Sequence, residues 1–234
     1  MKIFASIIVS LAFSPFINPI ELDCSKMLFF NEGASITLNT YDKDRKQNGT
    51  IKYRYSKVKS TAQGASTTVN TEILDKKGKV QSTNEFEMEC KSGSLFFDFK
   101  SLMPEQNQKP LNDMEMMIEG NQVEYPSSIS IGQNLKDAQL KISYKAKSNG
   151  NPIPMMSTAI SITNRKVEAK ESISTAAGTF ECYKISEDFE FKTLFKIKGK
   201  TVSWFNYEVG MVKSESYKEN GKFTGSTELV ELKK

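Results

Sequence analysis

The chain has 234 residues, 38% of them apolar, with 15 Phe and 8 Tyr; that is enough to build a real core and argues against disorder. Its formal charge of +4 is spread over 32 basic and 28 acidic residues, with no basic block interleaved with aromatics, which argues against nucleic acid as a partner. It contains no histidine, which excludes Ser-His-Asp and Cys-His catalysis, His-ligated zinc and the usual neutral-pH base.

Taken in chain order, the first element is Lys2 followed by the apolar run Ile3–Phe13. A short cationic segment before an apolar run of this length reads as an export signal. The run is too short to span about 30 Å of hydrocarbon, and Pro15 and Pro19 break up the residues after it. We therefore expect a signal over 1–22, one β-rich domain over 23–234 and no integral membrane span once the signal is removed. Cys24 is a poor lipoprotein cysteine, because Asp23 stands where a small residue is wanted.

Cys24, Cys90 and Cys182 are the three cysteines. In an oxidising compartment they allow one disulfide and one leftover thiol. Three pairings are open. Cys24–Cys90 is the favoured expectation, since it would tether the mature N-terminus, and three reduced, buried thiols are the alternative.

Strands dominate the rest. Ile51, Tyr53 and Tyr55 alternate with Lys52, Arg54 and Ser56; Phe86, Met88 and Cys90 alternate with Glu85, Glu87 and Glu89; Leu140, Ile142, Tyr144 and Ala146 alternate with lysines and a serine. Such period-two patterns predict half-buried strands. Further strands are expected at 35–41, 67–74, 94–99, 114–119, 156–163, 166–173, 180–192, 201–207, 211–217 and 223–232. Three polar turns, at Tyr41–Gly49, Asp75–Lys79 and Lys218–Lys222, each join two such runs. Asn-Gly and Lys-Gly steps supply the positive φ that tight hairpins need. Ser101–Asp113, Tyr125–Leu135 and Ser148–Pro154 read as connections. The expected fold is all-β and mainly antiparallel: a curved sheet, half-barrel or barrel of about a dozen strands.

The recognisable chemistry is sparse. No Walker A sequence, no Gly-x-Gly-x-x-Gly after a strand, no Gly-x-Ser-x-Gly and no Cys-x-x-Cys is present, and no cofactor is expected. Glu85, Glu87 and Glu89 share a strand face; a calcium site or an acid/base pair is conceivable there, and a solvated outer face is the favoured reading. Glu168 and Glu171 fall on opposite faces. Methionine suits surfaces that receive varied apolar partners. Phe97, Phe99, Met114, Met116, Met155 and Trp204 are therefore the candidate ligand-binding residues, with ordinary core filling as the plainer alternative.

The most distinctive wording lies in the C-terminal third: Asn164–Glu168, Glu171–Ile185 with Ala177-Gly178-Thr179 at a turn, Trp204, and Gly210–Ser216. With Asp23-Cys24-Ser25, Asp75–Lys79 and Gly132–Asp137, this order resembles the TapB-like family of exported bacterial β-proteins. Ala176 stands where that family's turn has proline. The resemblance implies an exported, barrel-like protein of the periplasm or outer surface of a Gram-negative bacterium, shaped like periplasmic lipoprotein carriers. It supplies no catalytic residue.

Three functions remain in play. One is a non-catalytic binding module for a lipid-like or protein ligand, which needs an apolar concave face. The second is an envelope assembly protein without a cavity, which needs an exposed apolar patch. The third is an exported carboxylate hydrolase, which needs two acids within about 10 Å in a cleft.

Overall fold

The computed structural model describes residues 24–61, 64–92, 94–98, 114–126, 128–146, 154–193 and 195–234. The expected signal, the connections at Ser101–Asp113 and 148–153, and Phe99 lie outside these residues.

Two 3-10 turns, Cys24–Lys26 and Leu28–Phe30, precede the strands β1 (Ser35–Asp42), β2 (Gln47–Thr61), β3 (Gly64–Asp75), β4 (Val80–Lys91), β5 (Ser94–Phe97), β6 (Met114–Gly120) and β7 (Val123–Pro126). They are followed by β8 (Ala138–Ala146), β9 (Pro154–Thr175), β10 (Gly178–Lys192), β11 (Lys196–Asn206), β12 (Gly210–Lys218) and β13 (Phe223–Lys233). All belong to one 13-stranded sheet in the order β6-β8-β9-β10-β11-β12-β13-β1-β2-β3-β4-β5-β7, and the pairs are antiparallel. The expected all-β curved sheet is therefore what forms. It is not a closed barrel, since β6 and β7 are its edges and do not pair with each other. The two edges are nonetheless consecutive in the chain, joined only by Asn121 and Gln122. A link of that length holds the strand ends within about 10 Å, so the sheet must curl until its edges meet.

The repeated hairpin has a common backbone geometry. Asp42 N–H donates to the Lys46 carbonyl at 2.9 Å, Asp75 N–H to Lys79 at 3.0 Å, and Lys218 N–H to Lys222 at 2.9 Å. In the first two the opening aspartate also accepts from the backbone two and four residues on, at 2.8 and 3.0 Å in each case. The hydrogen bonds from Lys46 and Asp44 hold the Asp42 carboxyl below its ordinary range. The positive φ falls at Arg45 (59°), Gly78 (78°) and Gly221 (80°). This corrects the reading of the first turn. Asn48-Gly49 is not its corner: Gly49 is buried inside β2, and Arg45 takes the left-handed position that glycine takes in the other two.

Two further expectations change. The strands expected at 156–163 and 166–173 are one, β9, which runs for 22 residues. Asn164, with φ of 52°, and Arg165 form a bulge opposite Glu187, where the register with β10 shifts. A bulge bends a strand and increases its twist, which a strand of about 70 Å needs in order to follow a curled sheet. The expected connection at Tyr125–Leu135 also begins inside a strand, because Tyr125 and Pro126 end β7. Proline is tolerated there because β7 is an edge.

The core lies on the concave side. Leu38, Val69, Leu95, Val167, Ile185 and Leu229 are among its fully buried side chains. Met27, Leu28, Phe29 and Phe30 pack into it from the N-terminal turns, and the Leu28 N–H donates to the Glu208 carbonyl at 2.8 Å. A second cluster gathers Val123, Ala138, Leu140, Ile142, Ile160 and Ile162. The structure joins Cys24 to Cys90, with Cα atoms 6.1 Å apart. Cys182 is a buried free thiol, pushed up to about 11 by burial.

Candidate functional site

Residues on alternate positions of paired strands share a face, and here the shared inner face is apolar. It surrounds a cleft of about 240 Å³. One wall comes from Ile36 and Leu38 of β1, Tyr53 and Tyr55 of β2, Val69 of β3, and Phe86 and Met88 of β4. Phe97 of β5 and Val123 and Tyr125 of β7 continue that wall beyond Met88; Ile162, Phe29, Phe205 and Met211 complete the enclosure. Burial pushes the Tyr53 hydroxyl up to about 12 and that of Tyr55 higher still, so both stay neutral.

One carboxylate, Glu187, stands among these side chains. The β9 bulge places Arg165 beside it, with Nε 3.3 Å from Glu187 Oε2. The Arg165 side chain is fully buried, while Glu187 keeps 15% of its exposure. Arg165 Nη1 donates to the carbonyls of Glu124 at 2.9 Å and Lys136 at 2.8 Å, and its guanidinium lies 4.9 Å over the Tyr125 ring. Among the described residues Nη2 is buried without a hydrogen-bond partner. Desolvation raises the Glu187 carboxyl above its ordinary range, against the opposing pull of Arg165. Tyr125 is pushed up to about 12, chiefly by burial. Its ring stacks on Phe205 at 4.4 Å and meets Phe97 edge-on at 5.5 Å. The Tyr207 hydroxyl donates to the Pro126 carbonyl. Arg165, Tyr125 and Tyr207 thus fasten the β7 edge to strands from the other side of the sheet.

The sequence candidates divide. Phe97 lines the cleft. Trp204 does not: it pairs in register with Lys184 and Lys213, one position off the face that presents Phe205. Its Nε1 donates to Glu171 Oε2 at 2.7 Å, and the amines of Lys213 and Lys184 lie 4.7 and 5.4 Å from its ring centroid. Met114, Met116 and Met155 lie on β6 and β9, with side chains outside the described set. Glu187 and Arg165 were not singled out from the sequence. The one local sign was the break in alternation at Asn164-Arg165.

Among the described residues no group of three or more acids and cysteines could hold a metal ion. Glu85 lies 3.5 Å from Lys57 at the surface. A larger, polar groove of about 650 Å³ contains Asp188, Glu190 and Glu219. Their partners are Lys200 at 4.0 Å, Lys196 at 2.8 Å and Lys198 at 3.5 Å from Glu219. Exposed pairs of this kind are screened by solvent and contribute little to stability, and each of these acids already has a lysine partner. The apolar cleft is therefore the better candidate, despite its smaller size.

A family described as DUF3108-like matches residues 31–229. No curated protein matches the chain. Two solved structures share the fold. One is a protein inferred to be exported, with a YmcC-like fold, from Bacteroides fragilis: 25% identity, TM-score 0.68, covering 87% of this chain and 97% of that one. The other is an inferred lipoprotein from Parabacteroides distasonis: 24% identity, TM-score 0.69, covering 90% and 100%. Neither bears the TapB name that the C-terminal motifs suggested. No helix among the described residues is long and apolar enough to cross a membrane.

Proposed function

The chain belongs to the DUF3108-like family, and on that premise we propose that it is a non-catalytic binding module of the bacterial cell envelope whose concave cleft takes an apolar, lipid-like ligand. The observation that carries this is the lining itself, in which aliphatic and aromatic side chains surround a single carboxylate. Apolar concave sites with few polar groups are the usual form of small-molecule pockets. The apolar run before Asp23 and the exported or lipoprotein relatives support an envelope location. Among the described residues the hydrolase alternative finds no second acid lining this cleft.

A solvatochromic apolar dye tests the reading. It should brighten on binding one site, and Met211→Trp, which fills the cleft from a partly buried position, should remove that signal while the protein stays folded. A dye signal that persists at full strength in this variant would contradict the proposal.

One observation favours the surface-interaction alternative. Phe195, at the turn between β10 and β11, and Ile197, at the start of β11, are 78% and 57% exposed. If that reading holds, Phe195→Ser/Ile197→Ser should abolish co-sedimentation with an envelope fraction yet leave dye binding intact. Unchanged co-sedimentation would set it aside.

A further inference from the structure

Glu187 is the one charged side chain among the residues that line the cleft, beside the neutral hydroxyls of Tyr53, Tyr55 and Tyr125, and its surroundings limit what can sit against it. Its Oε2 is engaged by Arg165. The carboxylate keeps some exposure and lines the cleft, so it remains open to a guest there. Arg165 is fixed from behind by two backbone carbonyls and the Tyr125 ring, which makes the acid a positioned group with little freedom to retreat. With the carboxylate ionised, the pair is neutral overall. A guest anion would meet the carboxylate in a poorly solvated space, and a guest cation would add a net charge there; both are costly. A hydroxyl or amide can instead hydrogen-bond to the acid whether the acid is ionised or protonated.

Size narrows the guest further. About 240 Å³ is below the roughly 300–1,000 Å³ of drug-sized pockets, which favours one short chain over a multi-chain lipid. Resting on the binding-module reading above, we infer that the cleft selects a single-chain amphiphile with an uncharged hydroxyl- or amide-bearing head, and that Glu187 is the residue that recognises the head.

The test is competition against the bound dye by three single-chain probes: monodecanoylglycerol, decanoate and decyltrimethylammonium, all below micellar concentrations at neutral pH. Wild-type protein should prefer the glycerol ester over both charged probes by about tenfold, the scale of one well-placed hydrogen bond. Glu187→Leu should remove that preference, and Glu187→Gln, whose amide still offers an acceptor and adds a donor, should retain most of it. If neither variant folds, the order of the three probes on the wild type decides the matter. Equal displacement by all three, or a best fit to either charged probe, overturns the inference and leaves the apolar cleft standing. Failure of every probe to displace dye that is bound overturns both.

Discussion

Arg165 is the residue on which most of the described geometry converges. It ties the β9 bulge to the backbone of β7, to the Lys136 carbonyl and to Glu187. Removing one partner of a buried pair leaves the other charge uncompensated, at a cost of about 3–5 kcal/mol. Arg165→Met should lower stability by that amount in urea denaturation, and Arg165→Met/Glu187→Leu should recover much of the loss. A single variant as stable as wild type would show that the pair holds nothing together. Glu187 also sets a pH dependence. Its carboxyl is raised above the unfolded value of 4.5, with desolvation the main cause, so between the two values the folded state binds more protons than the unfolded state. Stability from this group is therefore fully present below about pH 4.5 and is lost as pH rises through the folded value. Wild type should weaken relative to Glu187→Gln over that window, read as the difference between their denaturation midpoints. A difference that does not change with pH would contradict the burial argument.

At the scale of elements, the hairpins and the edges carry the account. Left-handed backbone costs an L-residue about 1–2 kcal/mol that glycine avoids. Gly78→Ala and Gly221→Ala should each destabilise by about 1 kcal/mol. Arg45→Gly should be close to neutral, because relief of its positive φ offsets added chain entropy and loss of the 5.4 Å contact with the Phe223 ring. Thermal melts of the three variants check this; an Arg45→Gly protein as damaged as Gly221→Ala would refute the shared turn geometry. Most elements were legible in the sequence because alternation is local: Phe86, Met88 and Cys90 point inward and Glu85 and Glu87 outward, as their spacing implies. What could not be read was non-local. β7 is four residues long and ends in proline, and its pairing with β5 and its tie to Arg165 depend on residues far along the chain. Asn48-Gly49 misled because the Asp42 carboxylate closes the turn three residues earlier. Of the cleft, Phe97 was legible as an apolar strand residue. Trp204 was misplaced by one position of register, and Glu187 looks in sequence like any surface acid.

For the molecule as a whole, a curled sheet with joined but unpaired edges depends on fasteners. The Cys24–Cys90 bond is one, closing a sequence separation of 66 residues. The chain-entropy account assigns such a loop about 4 kcal/mol. Cys24→Ser/Cys90→Ser should lose stability of that order and release the N-terminal turns, seen as faster amide exchange at Leu28–Phe30. A reduced protein with unchanged protection there would show that packing alone holds them. Because Phe29 lines the cleft, the same variant should also bind ligand more weakly. Native mass spectrometry of the protein gently extracted from the cell envelope, beside the Met211→Trp variant, tests most directly whether the proposed cleft holds a guest. A bound single-chain species is expected on the wild type and absent from the filled variant. A folded wild type carrying no added mass, or an equal adduct on both proteins, would contradict that expectation.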